Sequence, residues 1–130
     1  AARVTHPEKT VVCFAGDGDF QMNAVELGTA MQAGAQPIVL ILNNGSYGTI
    51  RMHQEKHYPH RVSGTELQNP DFAAMARAYG FHGERVEKTE DFAPAFARAL
   101  ESKTGAVLDI AMDAHALSPR MSLADVHAQN

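Results

Sequence analysis

Two short apolar runs, 11–15 (VVCFA) and 38–42 (IVLIL), contain no alternating polar positions. Runs of this length, rich in β-branched side chains, predict strands buried on both faces of a parallel sheet. Between them Ala24, Val25, Leu27, Met31 and Ala35 recur at helical spacing, which predicts a helix over about 22–33 that Gly34 stops. Further along, 47–56 reads as a helix and 58–68, with turn residues and no apolar period, as a loop. Asn69 is placed to cap a helix with Pro70 at its first position, and Phe72, Ala73, Met75, Ala76 and Tyr79 form its buried stripe before Gly80. A short strand is expected over 81–87. Phe92, Phe96, Ala99 and Leu100 then mark a helix in which Pro94 fits only the first turn, favouring Asp91 over Thr89 as its cap. The segment 105–112 is a last buried strand, and 114–130, lacking a sustained period, reads as an extended tail. Residues 1–9 read as the end of a helix with a turn at His6-Pro7, which predicts a domain incomplete at its N-terminus.

Strands alternating with helices predict an α/β fold, a doubly wound, mostly parallel sheet with helices on both faces. A parallel crossover is almost always right-handed and brings both strands to point the same way. Asp17 and Asn44, each just past an apolar run, therefore meet at the carboxyl edge of the sheet, where ligands bind in such folds. A carboxylate and an amide oxygen are hard ligands suited to Mg²⁺ or Ca²⁺ completed by water and phosphate oxygens. Gly16 and Gly18 permit close backbone approach, and the helix that follows aims unpaired N–H groups at an anion. The unit reads as a metal and diphosphate site. A dinucleotide site fits poorly: Gln21 replaces the third glycine of G-x-G-x-x-G, and Asn43-Asn44 stand where an acidic residue would hold a ribose.

Gly16-Asp17-Gly18, the 24 residues 19–42, then Asn43-Asn44 resembles the diphosphate-anchoring signature of thiamine diphosphate (ThDP) dependent enzymes. The stretches N-G-S-Y-G-T-I-R from Asn44, N-P-D-F from Asn69 and A-Y-G from Ala78 are similar to the acetolactate-synthase-like branch. The resemblance covers nearly the whole chain but only one domain, 1–130, of such an enzyme. It implies Mg²⁺ on the side chains of Asp17 and Asn44 and the backbone carbonyl of Ser46, with Gly16, Gly18, Asp19, Tyr47 and Gly48 around the diphosphate and Asn43 supporting the loop. Asp19 departs from the pattern, which has a small residue there; solvent or a helix-capping role accommodates its charge. It further implies a 2-oxo acid substrate, decarboxylated or ligated. An activating glutamate is implied in a separate pyrimidine-binding domain of the same or a partner subunit, in a homodimer or homotetramer. No residue here matches that glutamate, so no catalytic residue is expected in these 130 residues and they are expected to be inactive alone. Nine residues after Asn44, where acetolactate synthases carry Trp, stands His53, a substrate-facing candidate that weighs against acetolactate synthesis proper. The competing reading is a binding or regulatory domain that keeps the fold without catalysis.

Composition changes the picture little. At 45% hydrophobic and 20% charged the chain is an ordinary globular domain, and a net charge of −4 leaves no electrostatic footprint for nucleic acid or an anionic membrane. No apolar run approaches the roughly 18 residues of a membrane span, and cytoplasm is the expected compartment. Cys13, the single cysteine, is expected in the core. His53, His57 and His60 invite a zinc reading, His53 and His57 lying four apart, but H-Q-E-K-H lacks the H-E-x-x-H order of a zinc protease and no cysteine supports the site, so the reading without zinc is favoured.

Overall fold

The computed structural model describes residues 1–118 and 120–128. Four parallel strands, β1 (Val12–Gly16), β2 (Ile38–Asn43), β3 (His82–Val86) and β4 (Ala106–Ala111), form one sheet in the order β1-β2-β4-β3. Register pairs Gly16 with Leu42 and Leu42 with Ile110, so the strand ends are level and the loops after β1, β2 and β4 leave from one edge. The alternation of side chains across a strand divides the core in two. Val39, Ile41 and Val107 pack on one face with Phe20, Leu27, Phe72 and Ala76; Ile38, Leu40 and Leu108 pack on the other with Ala95 and Ala99. Helices thus cover both faces of a parallel sheet, the α/β architecture expected.

Short apolar runs do mark β1 and β2, but only β2 and β4 are central. β1 is an edge strand, with Phe14 70% exposed and Cys13 exposed as well. The expectation of a first strand buried on both faces, and of a core cysteine, is therefore corrected: a run of apolar residues does not record whether a neighbour covers it.

After α1 (Ala2–Thr5), the single helix expected over 22–33 is two, α2 (Asp17–Asn23) and α3 (Glu26–Gln32). The chain enters α2 directly from β1. At the junction Leu27 and Gly28 donate to Ala24 and Val25, three residues back instead of four, and this tighter turn re-aims α3. The buried set is consequently Phe20 and Leu27 with Ala24 and Ala30 packed against them, while Val25 is 70% exposed.

Helix α4 (Gly48–His57) lies within one residue of its expected bounds. Helix α5 (Phe72–Ala78) is capped by Asp71, whose Oδ1 accepts from the Ala74 N–H at 2.8 Å; the cap is not Asn69, and Pro70 lies outside the helix. Tyr79 falls beyond it at the surface, 36% exposed. Helix α6 (Thr89–Glu101) starts before Asp91, with Pro94 inside it and Leu100 exposed. Its opening turn is closed by the Asp91 N–H on the Lys88 carbonyl, and Glu90 and Asp91 suit the positive end of its dipole.

The expected extended tail is structured. Strands β5 (Ala116–Ser118) and β6 (Met121–Ser122) form a small antiparallel pair, followed by α7 (Leu123–His127). Leu123 and Val126, three apart, are buried, and Ser122 with Asp125 forms a reciprocal capping box that fixes the helix start. Two apolar residues suffice because α7 packs against α4, a contact no local period reports. Of that tail, Pro119, Gln129 and Asn130 lie outside the described residues.

Candidate functional site

β1 ends at Gly16, and the next residue, Asp17, already belongs to α2 and is 2% exposed. Its Oδ1 accepts from the Gly18 N–H at 3.0 Å. Its Oδ2 accepts from the Gly45 N–H at 2.8 Å and from Asn69 Nδ2 at 2.6 Å. Three donors occupy three of roughly four acceptor positions of a carboxylate. Among the described residues no Lys, Arg or His forms an ion pair with it. A buried carboxylate is costly without a positive partner, and neutral N–H donors offset that cost only in part.

The loop after β2 is built to face this carboxylate. Gly45, with φ of 65°, turns the chain so that its N–H reaches Asp17, a backbone conformation glycine adopts without strain. Asn44 Oδ1 accepts from the Ser46 N–H at 3.0 Å, leaving a second lone pair. The buried Ser46 donates its hydroxyl to the Thr65 carbonyl at 3.0 Å, and the Tyr47 N–H reaches the same carbonyl at 2.9 Å, so the 58–68 loop holds this turn from behind. Tyr47 packs close against Gly18: a Cβ there would stand 2.5 Å from the ring, and one on Gly48 would stand 3.0 Å from Asn44 Nδ2. A side chain at Gly18 would displace the Tyr47 ring, and one at Gly48 would press on the Asn44 amide.

Asn43 points away from the cleft, into a polar network beneath it. Its Nδ2 donates to Asp109 at 2.9 Å, and Asp109 is paired with Arg85 at 2.7 Å. Its Oδ1 accepts from Asn69 Nδ2 at 2.9 Å and from the Gly45 N–H at 3.3 Å. Asn69 in turn accepts from Gln21 at 2.6 Å. The contrast between the two buried aspartates is informative: Asp109 has its arginine, Asp17 has none.

Asp17, Asn44, Ser46, Gly16, Gly18, Asp19, Tyr47 and Gly48 all line one open cleft of about 350 Å³. Its other walls are apolar or small, from the start of α4 (Ile50, Met52), from Met112 and from β5 (Ala116, Leu117). Asp19, in the first turn of α2, is exposed. His53 is exposed on α4, its ring stacked on His57 at 6.4 Å, and is not among the cleft-lining residues, although its neighbour Met52 is. Asn69 and the β5 wall were missed by the sequence reading. Asn69 looked like a cap because N-P-D-F permits two cap positions, and the tail carried no signal for a wall at all.

The donor set fits a hard cation. One carboxylate oxygen and one amide oxygen with spare lone pairs face a cleft whose floor has unbalanced negative charge, the ligand chemistry of Mg²⁺ and not of a soft metal.

Residues 1–110 match the family model described as "Thiamine pyrophosphate enzyme, C-terminal TPP binding domain", thiamine pyrophosphate being ThDP. The chain is 40% identical over 110 residues to an acetolactate synthase of Arthrospira platensis, an alignment covering 83% of this chain and 19% of that protein. It is 38% identical over 112 residues to the mitochondrial acetolactate synthase catalytic subunit of Saccharomyces cerevisiae, covering 86% and 16%. Its fold is similar to that of benzoylformate decarboxylase from Polynucleobacter necessarius, with a TM-score of 0.77, 26% identity and coverage of 87% and 21%. The chain thus spans about a fifth of the length of the proteins it matches. A parallel sheet whose carboxyl edge carries G-D-G against N-N, matched over 110 residues by the family model, places this chain in the thiamine pyrophosphate enzymes, as their C-terminal cofactor-binding domain.

Proposed function

We propose that this domain anchors the diphosphate of ThDP through Mg²⁺, within a larger enzyme that decarboxylates or ligates 2-oxo acids. The carrying observation is Asp17: buried, held by three N–H donors, without a cationic partner, at the same cleft as Asn44. Asp17, the Asn44 side chain and the Ser46 carbonyl are the proposed metal ligands. Gly16, Gly18, Asp19, Tyr47 and Gly48 are proposed to border the diphosphate, with Tyr47 packed on Gly18 fixing the distance between the two loops. When bound, the cofactor supplies a carbanion nucleophile and an electron sink for breaking or making a C–C bond beside a carbonyl.

This chain's residues bind and orient; none of those lining the cleft is a glutamate. The activating glutamate belongs, in this reading, to a pyrimidine-binding domain of the same or a partner subunit, in a cytoplasmic homodimer or homotetramer. His53, one position from the cleft-lining Met52, is proposed to face the substrate in the assembled enzyme. No helix among the described residues is long and apolar enough to cross a membrane.

The test is a calorimetric titration of ThDP into the full protein with Mg²⁺ and then with EDTA, beside Asp17→Ala. Metal-dependent binding that Asp17→Ala abolishes is expected. A folded full protein that binds no ThDP would overturn the anchor and favour the non-catalytic domain that only keeps the fold.

A further inference from the structure

A second constellation lies behind α4, apart from the cleft. Glu55 is 4% exposed on α4, a position where an acidic side chain is rarely found unless something positive meets it. His127, on α7, places Nε2 at 2.9 Å from Glu55 Oε2. The same oxygen accepts from the His60 N–H at 3.2 Å, and the His60 and His127 rings stand 5.1 Å apart between centroids. One donor atom from each of the three residues lies within 4.8 Å of the other two. Glu55 and His60, five residues apart, and His127, 72 residues beyond Glu55, therefore deliver one carboxylate and two imidazoles to one point.

Two features set this apart from a chance surface cluster. His60 has φ of 61°, and it is the sole residue other than glycine with positive φ among those described. That conformation costs of order 1 kcal/mol for an L side chain. It is also what turns the His60 N–H and ring together toward Glu55. The second feature is the carboxylate itself: hydrogen bonds from His127 and from the His60 backbone hold it below its ordinary range. It is an anion, and Arg51 Nε stands 4.0 Å from its Oε1.

We propose that Glu55, His60 and His127 form a binding site for a borderline divalent transition ion, Zn²⁺ by ligand type, that fastens α7 to α4. Two imidazoles and a carboxylate are zinc ligands, whereas Mg²⁺ takes oxygen. Ligand atoms in tetrahedral zinc, with bonds of about 2.0–2.1 Å, stand about 3.3 Å apart. The His127 to Glu55 separation of 2.9 Å thus opens slightly as the ion replaces the proton between them, and side-chain rotation of His60 closes the third side. The fourth position is left to water. The ion has a structural consequence at a distance: α4 supplies Ile50 and Met52 to the cleft and the segment leading to α7 supplies Ala116 and Leu117, so fixing α7 on α4 fixes two contributors to one cleft.

The test uses the full protein in saturating Mg²⁺, which occupies oxygen sites, titrated with Zn²⁺ by calorimetry and with Co²⁺ by visible d–d absorption. One equivalent per chain is expected, with the absorption of a four-coordinate N/O site. His127→Ala and His60→Gly should each weaken Zn²⁺ by about tenfold or more. Glycine accepts the left-handed backbone at 60, so that variant separates loss of a ligand from loss of fold. The pair His53→Ala with His57→Ala, and Asp17→Ala, should leave Zn²⁺ binding unchanged. No Zn²⁺ binding by the parent protein, or binding that survives both His60→Gly and His127→Ala, would overturn the site.

Discussion

Asn69 holds the two halves of the diphosphate signature together. Its amide donates to Asp17 at 2.6 Å and to Asn43 at 2.9 Å, 52 and 26 residues away in sequence, and among the described residues no other side chain bonds both. Asn69→Leu leaves two acceptors without this donor, so a stability loss of about 1–3 kcal/mol is expected, read as a lowered denaturation midpoint. Asn69→Asp sets a second carboxylate against Asp17, and added Mg²⁺ should recover a larger part of its lost Tm than it recovers for Asn69→Leu. Equal recovery in the two variants would count against a cation at Asp17. Gly18→Ala drives a methyl into the Tyr47 ring, and ThDP affinity in the full protein should fall, with partial recovery on adding Tyr47→Ala. At this scale the sequence was legible wherever two motifs carry fixed spacing, as in G-D-G and N-N. It was illegible where a single polar residue acts through long-range hydrogen bonds, as Asn69 does, because nothing local distinguishes that role from a helix cap.

Elements were legible in kind and less so in extent. β2 was found because burial on both faces leaves a continuous apolar run, and β4 because only Asp109 breaks its own; β1 looked the same although it lies at the edge, since the run encodes side chains and not neighbours. The break between α2 and α3 escaped because apolar spacing survives a single tightened turn. β3 and α6 are joined across the sheet face by Glu84, which accepts from Arg98 Nε at 3.1 Å and pairs with His82 at 3.0 Å. The Arg98 hydrogen bond first, and His82 second, hold Glu84 below its ordinary value of 4.5, against the opposing effect of burial. A carboxyl with a lower pKa folded than unfolded adds stability that is complete above the unfolded value and disappears as pH falls through the folded one. Glu84→Gln should therefore lower Tm by a few degrees at most at neutral pH, because Arg98 is half exposed. The gap between parent and variant should close on acidification below the carboxylate range. A gap constant with pH would show that the effect is packing.

At the scale of the whole molecule, the chain is the C-terminal cofactor-binding domain of its family. The acidic residues lining the cleft are Asp17 and Asp19, one buried among N–H donors and the other exposed in the first turn of α2. Neither is placed to donate or accept a proton in a dry pocket, which general acid–base chemistry on the cofactor demands. The cleft is open, and the remaining walls, Ile50, Met52, Met112 and Leu117, offer packing alone. Ile50, one of these walls, is 53% exposed. We propose a division of labour on these features: this domain fixes charge and position, and proton transfer comes from another domain. The 130-residue chain, supplied with ThDP, Mg²⁺ and pyruvate, should release no CO₂, whereas the full protein should release it from its own 2-oxo acid. His53→Ala in that full protein should shift the ratio of kcat/KM between a small and a bulky 2-oxo acid, with Mg²⁺-dependent ThDP binding retained. ThDP-dependent CO₂ release by the chain alone would mean that a proton-transferring group exists within these 130 residues, and the division argued from the cleft would be wrong.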